Sequence, residues 1–215
     1  DLSSLVIKST FLGAHTYPLA FKENHEGYVD EIIHKMLPGI AQEKLADFID
    51  VFCETGFFSP EEMTQICHAG MSYGLKPKLH VNQLNSIGGI KAAIDLNAIS
   101  VDHLETMTDE DIIQLSQSAT IGTLLPTAAY FLRMPFQPAR LLIDNNCAIA
   151  LASDFNPGSS PSGTVGGAFA EALPGGCIPA ALFADAASAC ASEIRTALYA
   201  AVVRSGTRRH SRGQI

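Results

Sequence analysis

The chain has 215 residues, 47% of them hydrophobic, which is enough apolar material for the core of one large domain or two small ones. A formal net charge of −8 and the lack of a basic run argue against nucleic acid as a partner. No apolar stretch reaches membrane-spanning length, and residues 1–20 lack the order of a signal peptide, so we expect no membrane partner.

The cysteines predict a reducing compartment. They are odd in number and irregularly spaced, and no two of them form a Cys-x-x-Cys motif. Buried free thiols in the cytoplasm explain them better than a disulfide framework, which is typical of secreted proteins. The positions are Cys53, Cys67, Cys147, Cys177 and Cys190.

Strand patterns and helix patterns alternate from the N-terminus to about residue 155. Short β-branched or apolar runs predict strands over residues 6–11, 48–54, 78–80, 99–103, 119–125 and 148–153. Helical spacing of apolar residues predicts helices over 26–37, 60–75, 89–96, 109–115 and 139–146. We expect the first helix to end near Pro38, and Pro126 to end the fifth strand.

Two helix starts carry capping signals. Ser59 is placed as the N-cap of the second helix, Pro60 lies in its first turn, and Glu62 completes a capping box. Thr108 precedes three acidic residues and begins a later helix. Each of these helices therefore starts soon after a strand ends.

The repeated strand–helix unit, about 25 residues long, implies parallel strands joined by crossover helices. Such a sheet is either a closed barrel or an open doubly wound sheet. Polar residues follow the C-terminal ends of successive strands, and this favours the barrel. Neither a Gly-x-Gly-x-x-Gly nor a phosphate-loop motif follows any strand, which weakens the doubly wound alternative.

The composition changes abruptly near residue 163, which predicts a boundary between 1–163 and 164–215. The second segment contains no lysine and holds five of the chain's seven arginines. A helix is plausible over 180–203, and the residues after it have the composition of a disordered tail. A frameshifted or fused tail explains the change, and a divergent pair of terminal helices is the alternative.

Three polar residues at strand ends suggest a hydrolytic metal site. His80 and Asp154 each follow an apolar strand, and His103 ends a third strand. Imidazole and carboxylate ligands with an open position for water are the parts of such a site. A lone histidine at a strand end is more often structural, but three such groups at matching positions favour the metal. Asp102, beside His103, is either its partner or a buried anchor.

Further polar residues at strand ends could line the same open end of the predicted barrel, here called its mouth. They include His15 and Gln83, together with Glu54, for which a structural salt bridge or cap is as good an interpretation as a substrate contact. Cys53 has no obvious base nearby in the sequence, so a thiol nucleophile is the weaker hypothesis.

Several short strings in the chain are similar to those of one family. They occur in order over residues 5–163: Phe11-Leu-Gly-Ala-His15, Asp50-Val-Phe-Cys-Glu54, Lys78-Leu-His80, Gly88-Gly89, Ser100-Val-Asp-His-Leu-Glu105, Leu124-Leu-Pro126, Tyr130-Phe-Leu-Arg133 and Asp154-Phe-Asn-Pro-Gly158. These strings resemble the imidazolonepropionase family of the amidohydrolase superfamily, which acts in histidine degradation. Residues 164–215 show no such resemblance.

The resemblance implies an α/β fold, a (β/α)8 TIM-type barrel of which this chain holds strands three to eight. It also implies hydrolysis of the cyclic amide 4-imidazolone-5-propanoate to N-formimidoyl-L-glutamate, with one zinc or iron ion per site. By position, His80 and Asp154 resemble metal ligands, and Asp154, His103 and Gln83 resemble catalytic residues. The positions resembling substrate contacts are His15, Gln83, Asn156, Gly158 and Ser159. A small-molecule substrate and a homodimer are the implied partners.

The chain also departs from the family pattern. It has no His-x-His pair, and the family's N-terminal β-domain and first barrel strands have no counterpart in it. We therefore expect an incomplete form of the enzyme. The alternatives are a non-catalytic barrel fragment that serves as a binding or assembly module, a misassembled gene product, or a different amidohydrolase such as a deaminase.

Overall fold

The structure, a computed structural model, describes residues 7–161. Within them, the strands are β1 (Thr10–Ala14), β2 (Phe48–Cys53), β3 (Lys76–Val81), β4 (Ser100–His103), β5 (Ile121–Leu124) and β6 (Ile149–Leu151). The α-helices are α1 (His25–Glu31), α2 (Leu37–Glu43), α3 (Pro60–Ser72), α4 (Gly89–Asp95), α5 (Asp109–Ser116), α6 (Pro126–Leu132) and α7 (Ala139–Asp144). The predicted boundary at 163, the helix over 180–203 and the tail lie outside the described residues.

The six strands form one parallel sheet in the order of the chain, β1 to β6. At least one helix separates each strand from the next. A doubly wound sheet reverses its strand order at a switch point, whereas the wall of a (β/α)8 barrel does not. The predicted α/β architecture is confirmed, and the strand order is that of a barrel wall.

Alternate residues of each strand face the helices and form the core. On β2 and β3 these include Ile49, Val51, Leu79 and Val81, all of them fully buried. Gly89, the first residue of α4, has no side chain because a Cβ there would come within 3.0 Å of Val81. The missing side chain lets the start of α4 pack closely against β3.

The first helix does not end at Pro38, so that prediction is wrong. A π-helical segment, Ile32–Met36, follows α1, and the chain then continues into α2. Pro38 lies in the first turn of α2, directly after the π-helical segment. The helical stretch ends instead at Lys44, which adopts a left-handed conformation with φ of 53°.

Pro126 also has a role that the sequence reading missed. It follows β5 as predicted, but it also begins α6 as a first-turn proline. The predicted capping signals are confirmed. Ser59 and Glu62 form a reciprocal capping box on α3, and Thr108 caps α5 together with Asp111.

Two findings concern the cysteines and the length of the apolar helices. Cys53, Cys67 and Cys147 are buried free thiols, while the other two cysteines lie outside the described residues. No helix in residues 7–161 is long and apolar enough to cross a membrane.

Candidate functional site

The C-terminal ends of the strands bring three histidines together. His15 follows β1, His80 lies near the end of β3, and His103 ends β4. The ring centroids of His15 and His80 are 6.4 Å apart, and those of His80 and His103 are 5.1 Å apart. The sequence prediction that these three residues share one mouth agrees with this geometry.

His80 lies among polar side chains on the face of the sheet that is opposite the helices. Its register neighbours are Phe52 on β2 and Asp102 on β4. Donor atoms of Asp50, His80 and Asp102 lie within 4.8 Å of one another. Charged groups so close together inside a sheet require compensating partners, because burial of an unpaired charge is costly.

Asp50 provides the partner of His80. The Oδ2 atom of Asp50 lies 2.7 Å from Nδ1 of the imidazole, although the ring N–H is imperfectly aligned, and Oδ1 accepts the backbone N–H of His80 at 3.1 Å. Burial alone lowers the pKa of His80, but the charge and hydrogen bond of Asp50 outweigh it and hold the pKa above its usual value. With Nδ1 committed to Asp50, Nε2 is the nitrogen available to a ligand.

Asp102 does not pair with His103. It accepts a hydrogen bond from Lys78 Nζ and another from Ser100 Oγ at 3.1 Å. Of the two interpretations of Asp102, the structure therefore supports the buried anchor. Burial lowers the pKa of Lys78, and the nearby charges of Asp50 and Asp154 oppose that shift.

The acid nearest to His103 is Glu105, which the sequence reading missed. Glu105 Oε1 lies 3.6 Å from Nδ1 of His103 and accepts a hydrogen bond from Gln137 Nε2 at 2.8 Å. Glu105 belongs to the string Ser100–Glu105, so its position two residues after His103 was a usable signal. Gln137 carried no signal, because the contact depends on how the segment before α7 packs.

Backbone conformation explains why His103 faces the site. Strand alternation after the inward-facing Asp102 would point His103 at the helices. Instead His103 and Leu104 have φ values of 86° and 69°, which redirects the chain as β4 ends. Asn82 and Asp154 also have positive φ values, 56° and 50°. Non-glycine residues in this region are strained, and such strain concentrates at functional sites.

Asp154 lies farther from its strand than the sequence indicated. The strand β6 ends at Leu151, and Asp154 follows in an irregular connection, where it is partly buried. Its carboxylate is near enough that its charge opposes the lowering of the pKa of both His15 and Lys78 and contributes to the raised pKa of His80. The set of donors within 4.8 Å includes His80 but not Asp154, so the metal role of Asp154 stays a prediction.

Asn156 shapes the loop after Asp154. Its Oδ1 accepts the backbone N–H groups of Gly158 and Ser159 at 2.9 and 2.8 Å. Its Nδ2 donates to the carbonyl of Asp154 at 2.8 Å. The amide is thus used within the loop itself, and substrate contacts by these residues stay predictions.

The remaining candidates differ in their environment. His15 is exposed and stacks on Phe52 at a centroid distance of 5.4 Å, and partial burial together with the charge of His80 lowers its pKa. Gln83 is partly buried in the loop after β3. The carboxylate of Glu54 accepts hydrogen bonds from that loop, so its role is structural. Burial raises the pKa of the Cys53 thiol to about 12, which argues against a nucleophilic role.

Comparison with solved structures shows the fold. The guanine deaminase of C. acetobutylicum with bound guanine matches 88% of this chain and 47% of its own, with a TM-score of 0.59 and 12% identity. An arabidopsis N6-mAMP deaminase matches 80% of this chain and 49% of its own, with a TM-score of 0.54 and 15% identity. At these identities the likeness shows the fold alone: this chain shares the fold of about half of each of these deaminases.

Comparison with curated proteins shows the family, although no protein-family model matches the chain. An imidazolonepropionase of Flavobacterium johnsoniae is 58% identical over 159 residues, which is 74% of this chain. One from Thermoanaerobacter pseudethanolicus is 45% identical over 162 residues, or 75% of this chain. In both cases the chain spans only 39% of the relative's length. The matched part of this chain belongs to the imidazolonepropionase family.

Proposed function

We propose that the protein containing this segment hydrolyses the cyclic amide 4-imidazolone-5-propanoate to N-formimidoyl-L-glutamate in histidine degradation. The observation that carries the proposal is the cluster of His15, His80 and His103 at one end of a barrel wall whose sequence matches imidazolonepropionases. The deaminase alternative rests only on fold likeness at 12% and 15% identity.

We also propose that His80 and Asp154 hold one zinc or iron ion. The donor chemistry fits, because Asp50 faces Nδ1 of His80 and leaves Nε2 available to an ion, and the carboxylates of Asp50 and Asp102 lie close by. A bound ion of this kind supplies acidification of a water molecule. Imidazole and carboxylate donors suit both zinc and iron, so a measurement of metal content decides between them.

The side chains have distinct proposed roles in ring opening. Asp154 accepts a proton from the attacking water and returns it to the departing ring nitrogen as the carbon–nitrogen bond breaks. His103 stabilises the negative charge that develops on the ring carbonyl oxygen. Gln83 contacts the substrate ring, and the further proposed substrate contacts are His15, Asn156, Gly158 and Ser159. The three buried free thiols support a cytoplasmic location, and a homodimer stays a prediction.

Turnover assays on the full-length protein test this proposal. We expect hydrolysis of 4-imidazolone-5-propanoate and none of guanine or cytosine, with metal measured by mass spectrometry. The substitution Asp154→Ala should abolish turnover, since it removes both the proton carrier and a proposed metal ligand. Retained activity in that variant would sink the mechanism, and turnover of guanine alone would favour the deaminase.

A second candidate, a non-catalytic barrel module, is favoured by one observation: this sequence contains no His-x-His pair. A barrel with fewer metal ligands binds its ion weakly. Zinc titration of the 215-residue chain separates the two candidates. Tight binding of one ion with turnover would exclude the non-catalytic module.

A further inference from the structure

Glu54 is a buried carboxylate that hydrogen bonds hold in place. The residue is 1% exposed and forms no ion pair with any residue in 7–161. Its Oε2 accepts the backbone N–H groups of Leu84 and Asn85 at 2.8 and 3.1 Å. Its Oε1 accepts from the side chain of Asn85 at 3.0 Å and from the backbone of Thr55 at 2.8 Å.

These contacts connect two loops that are far apart in sequence. Glu54 follows β2, while Leu84 and Asn85 lie in the loop between β3 and α4. Burial of a carboxylate without a cation is costly, and only several N–H donors offset that cost. Glu54 is itself fixed, because its backbone N–H donates to Phe58 and its carbonyl accepts from Phe57. The loop after β3 is therefore bonded to a rigid anchor.

Two other residues of the same loop, on either side of Leu84 and Asn85, are fixed by different contacts. Asn82 donates through Nδ2 to the carbonyl of Thr106 at 2.8 Å and to Asp111 at 3.2 Å. Ser86 donates to the same Asp111 carboxylate at 2.9 Å. Gln83 lies between these contacts, and its side chain forms no hydrogen bond with another described residue. The loop thus combines a fixed backbone with one uncommitted amide at the mouth of the barrel.

We propose that Glu54 is a positioning residue, which holds the loop after β3 so that the amide of Gln83 is presented to the substrate ring. This inference rests on the proposed function. Its physical basis is that a fixed backbone spares the ordering cost that a mobile loop would incur on binding. Glu54 touches neither substrate nor reacting atoms and acts only through Gln83.

The test is Glu54→Gln in the full-length enzyme. A glutamine amide of similar size turns an NH₂ group towards N–H donors, so part of the hydrogen-bond set is lost. We expect kcat/KM for 4-imidazolone-5-propanoate to fall about 10- to 100-fold, the scale of a misplaced contact group, with unchanged metal content. Amide exchange at Leu84 and Asn85 should become at least about tenfold faster, as expected for local opening.

Glu62→Gln is the matched control. Glu62 also accepts a backbone N–H, that of Ser59 at 2.8 Å, but it does so within the capping box of α3. A glutamine preserves a capping box, so neither kinetics nor exchange at Leu84 should change.

A double-mutant cycle distinguishes positioning from general destabilisation. If Glu54 acts through Gln83, then Glu54→Gln should reduce kcat/KM less than about twofold in a Gln83→Ala background. A full additive loss there, or an unchanged kcat/KM in the single variant, would overturn the positioning role. If Glu54→Gln does not fold, Asn85→Ala removes one of the four bonds and should give a smaller loss in the same direction. Absence of wild-type turnover would instead refute the proposed function.

Discussion

Asp50 contacts His80 through both the ring Nδ1 and the backbone N–H. A carboxylate at Nδ1 fixes the tautomer of a histidine and the orientation of its ring, which raises the basicity of Nε2. Asp50 is 3% exposed, so the contact is made away from bulk water and salt screens it little. At the scale of single residues, the nitrogen of His80 that stays available to a ligand is thus set by a residue on the neighbouring strand.

The substitution Asp50→Asn should weaken metal binding by the full-length protein about 10- to 100-fold, because an amide no longer fixes the tautomer of His80. Metal affinity is measured by competition with a chelating dye. Asp95→Asn is the control, since Asp95 pairs with Lys91 on the exposed surface of α4. Equal metal affinities in wild type and Asp50→Asn would contradict the role of Asp50.

His80 and His103 should respond differently to replacement by alanine. In the full-length enzyme, His103→Ala should lower kcat about 10²- to 10³-fold, the usual scale for loss of an oxyanion donor, and leave the metal content near wild type. His80→Ala should remove the metal. Metal content and kcat are measured on the same preparations. If both variants lose metal equally, His103 is a ligand and its proposed role is wrong.

At the scale of elements, two buried thiols belong to the core in which β2 and α3 pack. Cys53 on β2 and Cys67 on α3 are both fully buried. The same helix starts at the capping box of Ser59, so the position of the cap and the position of the apolar face agree. Burial raises the pKa of each thiol to about 12, which keeps both in the neutral form under ordinary conditions.

This contact predicts a loss of stability at alkaline pH. In the unfolded chain the thiols return to a pKa of about 8.5, so the unfolded state releases their protons first. The stabilisation is complete below that pKa and is lost as pH rises towards about 12, because the folded state retains the protons.

Urea unfolding of the full-length protein at pH 7.5 and pH 10 measures the effect. Cys67→Ala is the comparison, since it leaves one fewer buried thiol to ionise. The alkaline decrease in the free energy of unfolding should be smaller in Cys67→Ala than in wild type. An identical decrease in both proteins would show that other groups cause it.

At the scale of the whole molecule, the six parallel strands found in residues 7–161 follow one another in chain order, as in the wall of a barrel. The chain spans 39% of the length of the Flavobacterium johnsoniae relative. Within residues 7–161, the wall already gathers three histidines near its C-terminal end, and two carboxylates, Asp50 and Asp102, lie close to His80. That gathering follows from parallel strands, whose carboxyl ends all meet at one rim.

The sequence by itself determined the alternation of strands and helices, the parallel sheet, the capped starts of α3 and α5, and the rim position of His15, His80 and His103. These are local properties, since periodicity, capping and strand ends are encoded within a few residues. The prediction that the first helix ends near Pro38 is wrong because it used the local pattern alone. A proline can follow a π-helical segment and lie in the first turn of the next helix. Whether the chain forms such a segment depends on tertiary packing.

Only the tertiary structure decided which polar groups are partners. Asp50 and His80 are 30 residues apart, as are Glu54 and Leu84, and each pair meets only because β2 and β3 lie side by side in a specific register. The sequence placed Asp102 beside His103, but strand pairing commits Asp102 to Lys78. A positive φ then turns His103 inward towards His80, with Glu105 beside it. Cross-strand register and backbone strain arise from the assembled sheet, so no local sequence pattern reports them.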